Sequence, residues 1–273
     1  MRTRSLVTAT AVALALAVAP TTSAEAAPKK PVFKVSASLS TSTADVGQTV
    51  RVSGKISGPR AAKKRLTVQR RIGSGSWKTV ARTSTTKSRR FSARVKVTTA
   101  GAQQFRVVAP ATKKARRGVS ASRALTGWRW IDPFAGAAVE DLTRAPLTID
   151  GARHAAWTAP INADGALYAR VDGRCDALTA GLAVESGAID NRAITQVAQF
   201  DSWQASDPIA AAAKLVTANS GVVQTRWPLS SATNAIAVFV STDVTGTARG
   251  GLVQPRLHCS VNSLPKTQMP DLR

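Results

Sequence analysis

The chain has 273 residues, long enough for two ordinary domains, and sets 38 Lys and Arg against 15 Asp and Glu for a formal charge of +23. No stretch beyond the N-terminal leader is apolar enough to span a membrane, and the cysteine count of two leaves no spare thiol once the pair is oxidised. The charge is uneven: residues 27–126 hold 24 basic residues and one acidic residue, Asp45, whereas residues 127–273 hold 12 basic and 13 acidic ones. That asymmetry predicts two domains with different roles.

Residues 1–26 read as a signal peptide. Arg2 and Arg4 form a charged start, residues 6–19 an apolar run, and Ala24-Glu25-Ala26 a small-x-small cleavage pattern. The expected location is therefore secreted or extracellular, in association with the cell envelope. Export permits a disulfide between Cys175 and Cys259, 84 positions apart, and closing a loop that long is worth about 4–5 kcal/mol in the chain-entropy model. Near the end, Leu264-Pro265-Lys266-Thr267-Gln268 approaches a sortase signal. Gln268 stands where Gly is needed and no apolar tail follows, which argues against covalent wall anchoring.

After a linker (27–32), residues 33–126 alternate apolar and polar positions in short runs: 33–39, 49–56, 65–72, 77–83, 91–97, 103–109 and 119–125. Period-two alternation signals half-buried strands, and Gly-rich turns such as Gly73-Ser74-Gly75 separate them. Seven strands at this spacing predict an immunoglobulin-like sandwich. Gly47-Gln48-Thr49-Val50-Arg51-Val52-Ser53-Gly54, Leu66-Thr67-Val68-Gln69-Arg70-Arg71 and Gly75-Ser76-Trp77-Lys78-Thr79-Val80-Ala81 resemble the bacterial Ig-like modules of exported actinobacterial proteins. The resemblance implies a spacer or attachment module.

The basic residues of this segment cluster at Lys63, Lys64 and Arg65, at Arg70 and Arg71, at Lys87, Arg89 and Arg90, and at Lys113, Lys114, Arg116 and Arg117. A surplus this large exceeds what solubility asks and creates a field that draws polyanions. All of these except Lys87 are the candidate polyanion-binding residues. The expected partner is an anionic cell-wall polymer or glycan. Sequence-specific nucleic-acid recognition is not expected, because no helix-turn-helix, zinc-finger or RNP-like motif occurs.

A junction (127–144) opens with Gly127-Trp128-Arg129-Trp130, whose two tryptophans share one face of an extended segment and read as a packing strip. Beyond it, strand-like runs fall at 147–149, 167–171, 177–184, 195–200, 211–217, 222–229, 235–241 and 252–258, with Ala-rich 210–216 read as strand or loop against its helical propensity. They predict a second sandwich of jelly-roll type over 145–262, followed by a tail (263–273). The order Leu147-Thr148-Ile149-Asp150-Gly151, Trp157, Gly173-Arg174-Cys175-Asp176-Ala177-Leu178, Val197-Ala198-Gln199-Phe200 and Gly251-Leu252-Val253-Gln254-Pro255-Arg256-Leu257-His258-Cys259 resembles the NPCBM-type, galactose-binding-like domain attached to bacterial glycoside hydrolases. That resemblance implies glycan binding. Asp201-Ser202-Trp203 departs from the family's Asp-Gly after Phe200, and the family's terminal Trp is missing.

Trp157, Trp203 and Trp227 are the candidate glycan contacts, against a competing role for each as core; Phe200 and Phe239 read as core. No catalytic constellation is visible. His154 and His258 show no metal-ligand spacing, no Gly-x-Ser-x-Gly elbow occurs in the second domain, and Asp172, Asp176, Asp190, Asp201 and Asp207 lie near turns, where Asp is expected for backbone reasons. No cofactor or metal is expected. The leading expectation is an all-β, two-sandwich, non-enzymatic envelope-binding protein. An extracellular protein–protein interaction module, adhesin or inhibitor, is the second reading, and a glycan hydrolase the third.

Overall fold

The computed structural model describes residues 30–186, 191–243 and 248–268. The predicted signal peptide, the first half of the linker, Asp190 and the end of the tail lie outside the described residues. The chain is all-β, as its alternation predicts. The first nine strands are β1 (Lys34–Leu39), β2 (Thr43–Asp45), β3 (Thr49–Ser57), β4 (Arg65–Ile72), β5 (Lys78–Ser84), β6 (Arg90–Lys96), β7 (Gly101–Ala109), β8 (Gly118–Val119) and β9 (Arg123–Ile131). Strands β1, β3 and β6 make one antiparallel sheet in that order, and β5-β4-β7-β9 make the sheet that faces it.

Val50, Val52, Phe91 and Val95 from the first sheet meet Leu66, Val68, Phe105, Val107 and Leu125 from the second, all nearly inaccessible to solvent. Each is one member of an alternating pair, so its neighbours in sequence point outward. Neighbouring strands of the first sheet crowd Gly54, where a side chain would run into the Ser36 carbonyl and the Phe91 ring.

The remaining strands are β10 (Ala138–Glu140), β11 (Thr143–Ile149), β12 (Ala152–Thr158), β13 (Asp164–Arg170), β14 (Cys175–Val184), β15 (Arg192–Phe200), β16 (Ala210–Thr217), β17 (Val223–Pro228), β18 (Ala235–Asp243) and β19 (Gly250–Cys259). A five-stranded sheet, β10-β13-β18-β15-β16, covers β17-β14-β19-β12-β11. Leu167, Leu178, Leu182, Ile236, Val238, Leu252 and Leu257 fill the space between. The Ala-rich segment is a strand, β16, because it pairs with β15 over eight positions and so satisfies its backbone at the sheet edge. The run expected at 147–149 is longer and forms the hairpin β11–β12. Asp150 and Gly151 turn it with φ of 49° and 78°, the left-handed pair that a two-residue hairpin loop requires.

The predicted strand 119–125 is replaced by two. Short β8 ends at Val119, and β9 then runs through the expected junction as far as Ile131. Its first residues pair with β7, and its last three pair with β19, Ile131 opposite Leu257 and Trp130 opposite His258. One sheet of 11 strands therefore runs through both sandwiches.

At this crossing His258 places Nδ1 2.7 Å from an Asp176 carboxylate oxygen and Nε2 3.0 Å from one of Asp45. Each ring nitrogen is thus within hydrogen-bond reach of a carboxylate. The ring's faces meet Trp128 (centroids 5.2 Å apart) and Trp130 (4.6 Å), so the two tryptophans do form a packing strip. Asn262 adds a second fastening, its Oδ1 accepting from the Thr99 hydroxyl, the Ala100 amide and Arg129. Beside it Cys175 and Cys259 sit opposite each other on β14 and β19 and are disulfide-bonded, as expected. The tail as far as Gln268 is tied down as well, with Leu264 packed on the core and the Thr267 amide donating to the Gly136 carbonyl.

At the far end of the second sandwich Arg249 grips Glu185 with Nε and Nη2 (3.0 and 2.7 Å), which holds the Glu185 carboxyl below its ordinary range.

His258→Ala removes both carboxylate contacts and the ring between the tryptophans. The expected loss is about 1–3 kcal/mol, discounted for the exposure of the two carboxylates. Chemical denaturation read by tryptophan fluorescence measures it, and an unchanged midpoint contradicts the bridging role.

Candidate functional site

The outward residues of β1, β3 and β6 build the most distinctive surface. Core positions Val50, Val52 and Ile56 on β3, and Phe91, Ala93 and Val95 on β6, force the intervening residues to solvent. Pairing then sets Ser36, Lys55 and Arg90 in one row across the sheet and Ser38, Ser53 and Ser92 in the next. Arg51 lies opposite Arg94, and Thr49 opposite Lys96. With Lys34 this face carries six exposed cations separated by serine hydroxyls.

Two open grooves follow it. One, of about 690 Å³, is lined by Ser36, Ser53, Lys55, Arg90 and Ser92 among others; the other, of about 440 Å³, shares Ser36 and Lys55 and adds Lys34, Ser57 and Arg89.

Like charges directly opposite each other in a sheet are destabilising, and here Lys55 faces Arg90 and Arg51 faces Arg94. Neighbouring strands are about 4.8 Å apart, inside the Debye length of about 8 Å at physiological salt, so the fields add. The single carboxylate of residues 27–126, Asp45, is engaged by His258. Cations that donate hydrogen bonds, interleaved with hydroxyls that donate or accept, suit a repeating oxyanion such as a phosphodiester or carboxylate chain.

The candidate cations fall in several places. Arg89 and Arg90 belong to the groove face. Lys63, Lys64 and Arg65 lie at the start of β4, where Lys64 rests over the Phe33 ring at 5.0 Å and burial lowers its pKa. Lys113, Lys114, Arg116 and Arg117 lie on the exposed connection from β7 to β8. Arg70 donates to the Thr98 hydroxyl, and Arg71 to the Gln104 side chain on the neighbouring strand β7 of the same sheet. The structure thus spreads the contiguous clusters over both faces and one end. It also assembles a row that contiguity hides, because Lys34, Arg51, Lys55, Arg94 and Lys96 come from three strands. The available signal was their outward parity within each alternating run.

The aromatic candidates separate as follows. Trp227 is 5% exposed and packs in the core. Trp203 is half-buried in the connection from β15 to β16. Trp157 is half-buried, with one face stacked on Phe134 at 3.7 Å. It borders a small cleft of about 100 Å³ with Asp132, Arg144, Gln254 and Arg256. Asp172 pairs with Arg170, and Asp176 with His258. Among the described residues no group of three or more His, Cys, Asp and Glu side chains is placed to hold a metal ion.

Compared with known proteins, the chain matches no family model and no curated protein.

Neutralising Arg51 and Arg94 together as Gln removes a directly opposed like-charged pair. The double variant is expected to be more stable than the parent by about 0.2–1 kcal/mol at low salt, with the difference shrinking as salt rises. Thermal unfolding at two ionic strengths checks the sign.

Proposed function

We propose that the chain is an exported, non-enzymatic binding protein of the bacterial envelope whose N-terminal sandwich holds an anionic wall polymer. The observation that carries this reading is the serine-lined face of β1, β3 and β6, where like charges oppose each other with no carboxylate among them. Such an arrangement costs stability in the free protein, and a polyanion laid along the strands reverses the sign of that cost. The leader, the resemblance of residues 33–126 to Ig-like attachment modules and the disulfide all fit an exported binding module. In the same reading the second sandwich contacts glycan at the Trp157 cleft, which Arg144 and Arg256 also line. A cleft of about 100 Å³ holds one substituent of a sugar and not a whole residue, against roughly 300 Å³ or more for a typical small-molecule site.

Retention on purified wall fractions tests the proposal. The mature protein is expected to bind intact wall at low salt, to be released as salt rises, and to be lost from wall stripped of its anionic polymer. Changing Arg51, Lys55, Arg90 and Arg94 to Gln is expected to weaken retention at least about tenfold while the protein stays folded. Equal retention on stripped wall, or hydrolysis of any wall glycan by the purified protein, sinks the reading.

A further inference from the structure

The opposite outer face, on β4 and β7, holds a different arrangement. Gln69 lies across from Arg106 and Arg71 across from Gln104, all on the solvent side of the sheet. Each guanidinium is fixed by a neutral amide and not by a carboxylate: Arg71 Nη2 donates to Gln104 Oε1 at 2.6 Å, and Arg106 Nε to Gln69 Oε1 at 2.9 Å. Both pack on Trp77, their central carbons 5.0 and 4.2 Å from its ring centroid. Arg117 lies in the exposed connection just before β8, the strand that pairs with the end of β7.

The three charges are felt at one point. Burial lowers the pKa of Arg106 first, and the like charges of Arg117 and Arg71 lower it further. Arg71 Nε is buried without a protein acceptor. Two guanidiniums are held in place here by amides and an indole ring, and the charge of a third, Arg117, reaches Arg106. Their charge is left uncompensated, and one donor still lacks a partner. Amides can orient a guanidinium without neutralising it, which a carboxylate cannot do.

We propose that Arg71, Arg106 and Arg117, with Trp77 as their platform, form a discrete site for one tetrahedral phosphoryl group. The site goes beyond the polymer-binding face, since it lies on the other sheet and predicts saturable, one-to-one binding of a small anion. Guanidinium forks suit a phosphoryl group because two N–H donors match two of its oxygens. Two oriented forks with a further cation in reach offer more donors than a carboxylate's two oxygens can take, which favours a group with three or four oxygens.

The test is calorimetric titration of the mature protein with inorganic phosphate, dimethyl phosphate and acetate. Phosphate is expected to bind with a stoichiometry of one, and acetate at least about tenfold more weakly. Arg106→Gln and Arg71→Gln are each expected to weaken phosphate at least about tenfold. Arg106→Lys, which keeps the charge and loses the fork, should weaken it nearly as much. The Arg51→Gln/Arg94→Gln variant should bind phosphate like the parent even where it fails to hold wall polymer, so the two sites succeed or fail separately. Binding of dimethyl phosphate as well as phosphate assigns the natural ligand to a diester, and binding of phosphate alone to a monoester. Absence of saturable phosphate binding overturns the site, as does an equal loss in the Arg51→Gln/Arg94→Gln variant. Circular dichroism melting shows that each variant compared is folded.

Discussion

The architecture depends on how strand β9 is shared. It leaves the first sandwich paired to β7 and enters the second paired to β19, so the backbone ladder itself joins the two cores. A crossing of three residue pairs is a weak hinge unless side chains stiffen it. His258 does this by reaching the carboxylates of Asp45 and Asp176, which belong to different sandwiches, while Trp128 and Trp130 hold its ring flat. The disulfide fixes the strand that carries His258 to β14. Asp45, the sole acid of the basic segment, is therefore used for joining and not for neutralising the charge around it.

That use of Asp45 links fold to function. The first sandwich keeps its inner faces apolar by strict alternation, and the same alternation sends Lys, Arg and Ser outward on both sheets. On β1, β3 and β6 the result is a diffuse cationic face along open grooves. On β4 and β7 it is a tighter cluster, with guanidiniums oriented by glutamine amides over Trp77. The first suits a long flexible polyanion and the second a single oxyanion. Both rest on a core of Val, Phe and Leu that owes nothing to the charges, which is why the charges can be arranged for binding at a tolerable cost in stability.

Much of this was legible in the sequence. Apart from the short β2, strand positions in residues 33–109 follow from period two, because each strand has one buried and one wet face. The disulfide follows from the two cysteines together with the reading of residues 1–26 as a signal peptide. The course of β9 was not legible, since its second partner lies more than a hundred residues away and local alternation does not reveal who pairs with whom. His258 was missed as a structural bridge for the same reason: its acceptors are 82 and 213 positions distant. The hairpin β11–β12 was half seen because Pro146 and a run of small residues obscure its alternation. Among the cations, contiguous pairs such as Lys113-Lys114 were conspicuous, whereas Lys55, Arg90, Arg51 and Arg94 become neighbours only when β3 and β6 pair. Trp77 looked like an ordinary strand residue until the fold set Arg71 and Arg106 against it.

The central claim is electrostatic, and the dependence of affinity on salt tests it most directly. Titrating a purified anionic wall polymer with the mature protein across a series of salt concentrations gives the slope of log Kd against log salt, a measure of how many cations release counterions. The account predicts a steep slope for the parent and a clearly shallower one when Arg51, Lys55, Arg90 and Arg94 are changed to Gln. A flat slope for the parent, or the same slope for both proteins, would contradict it.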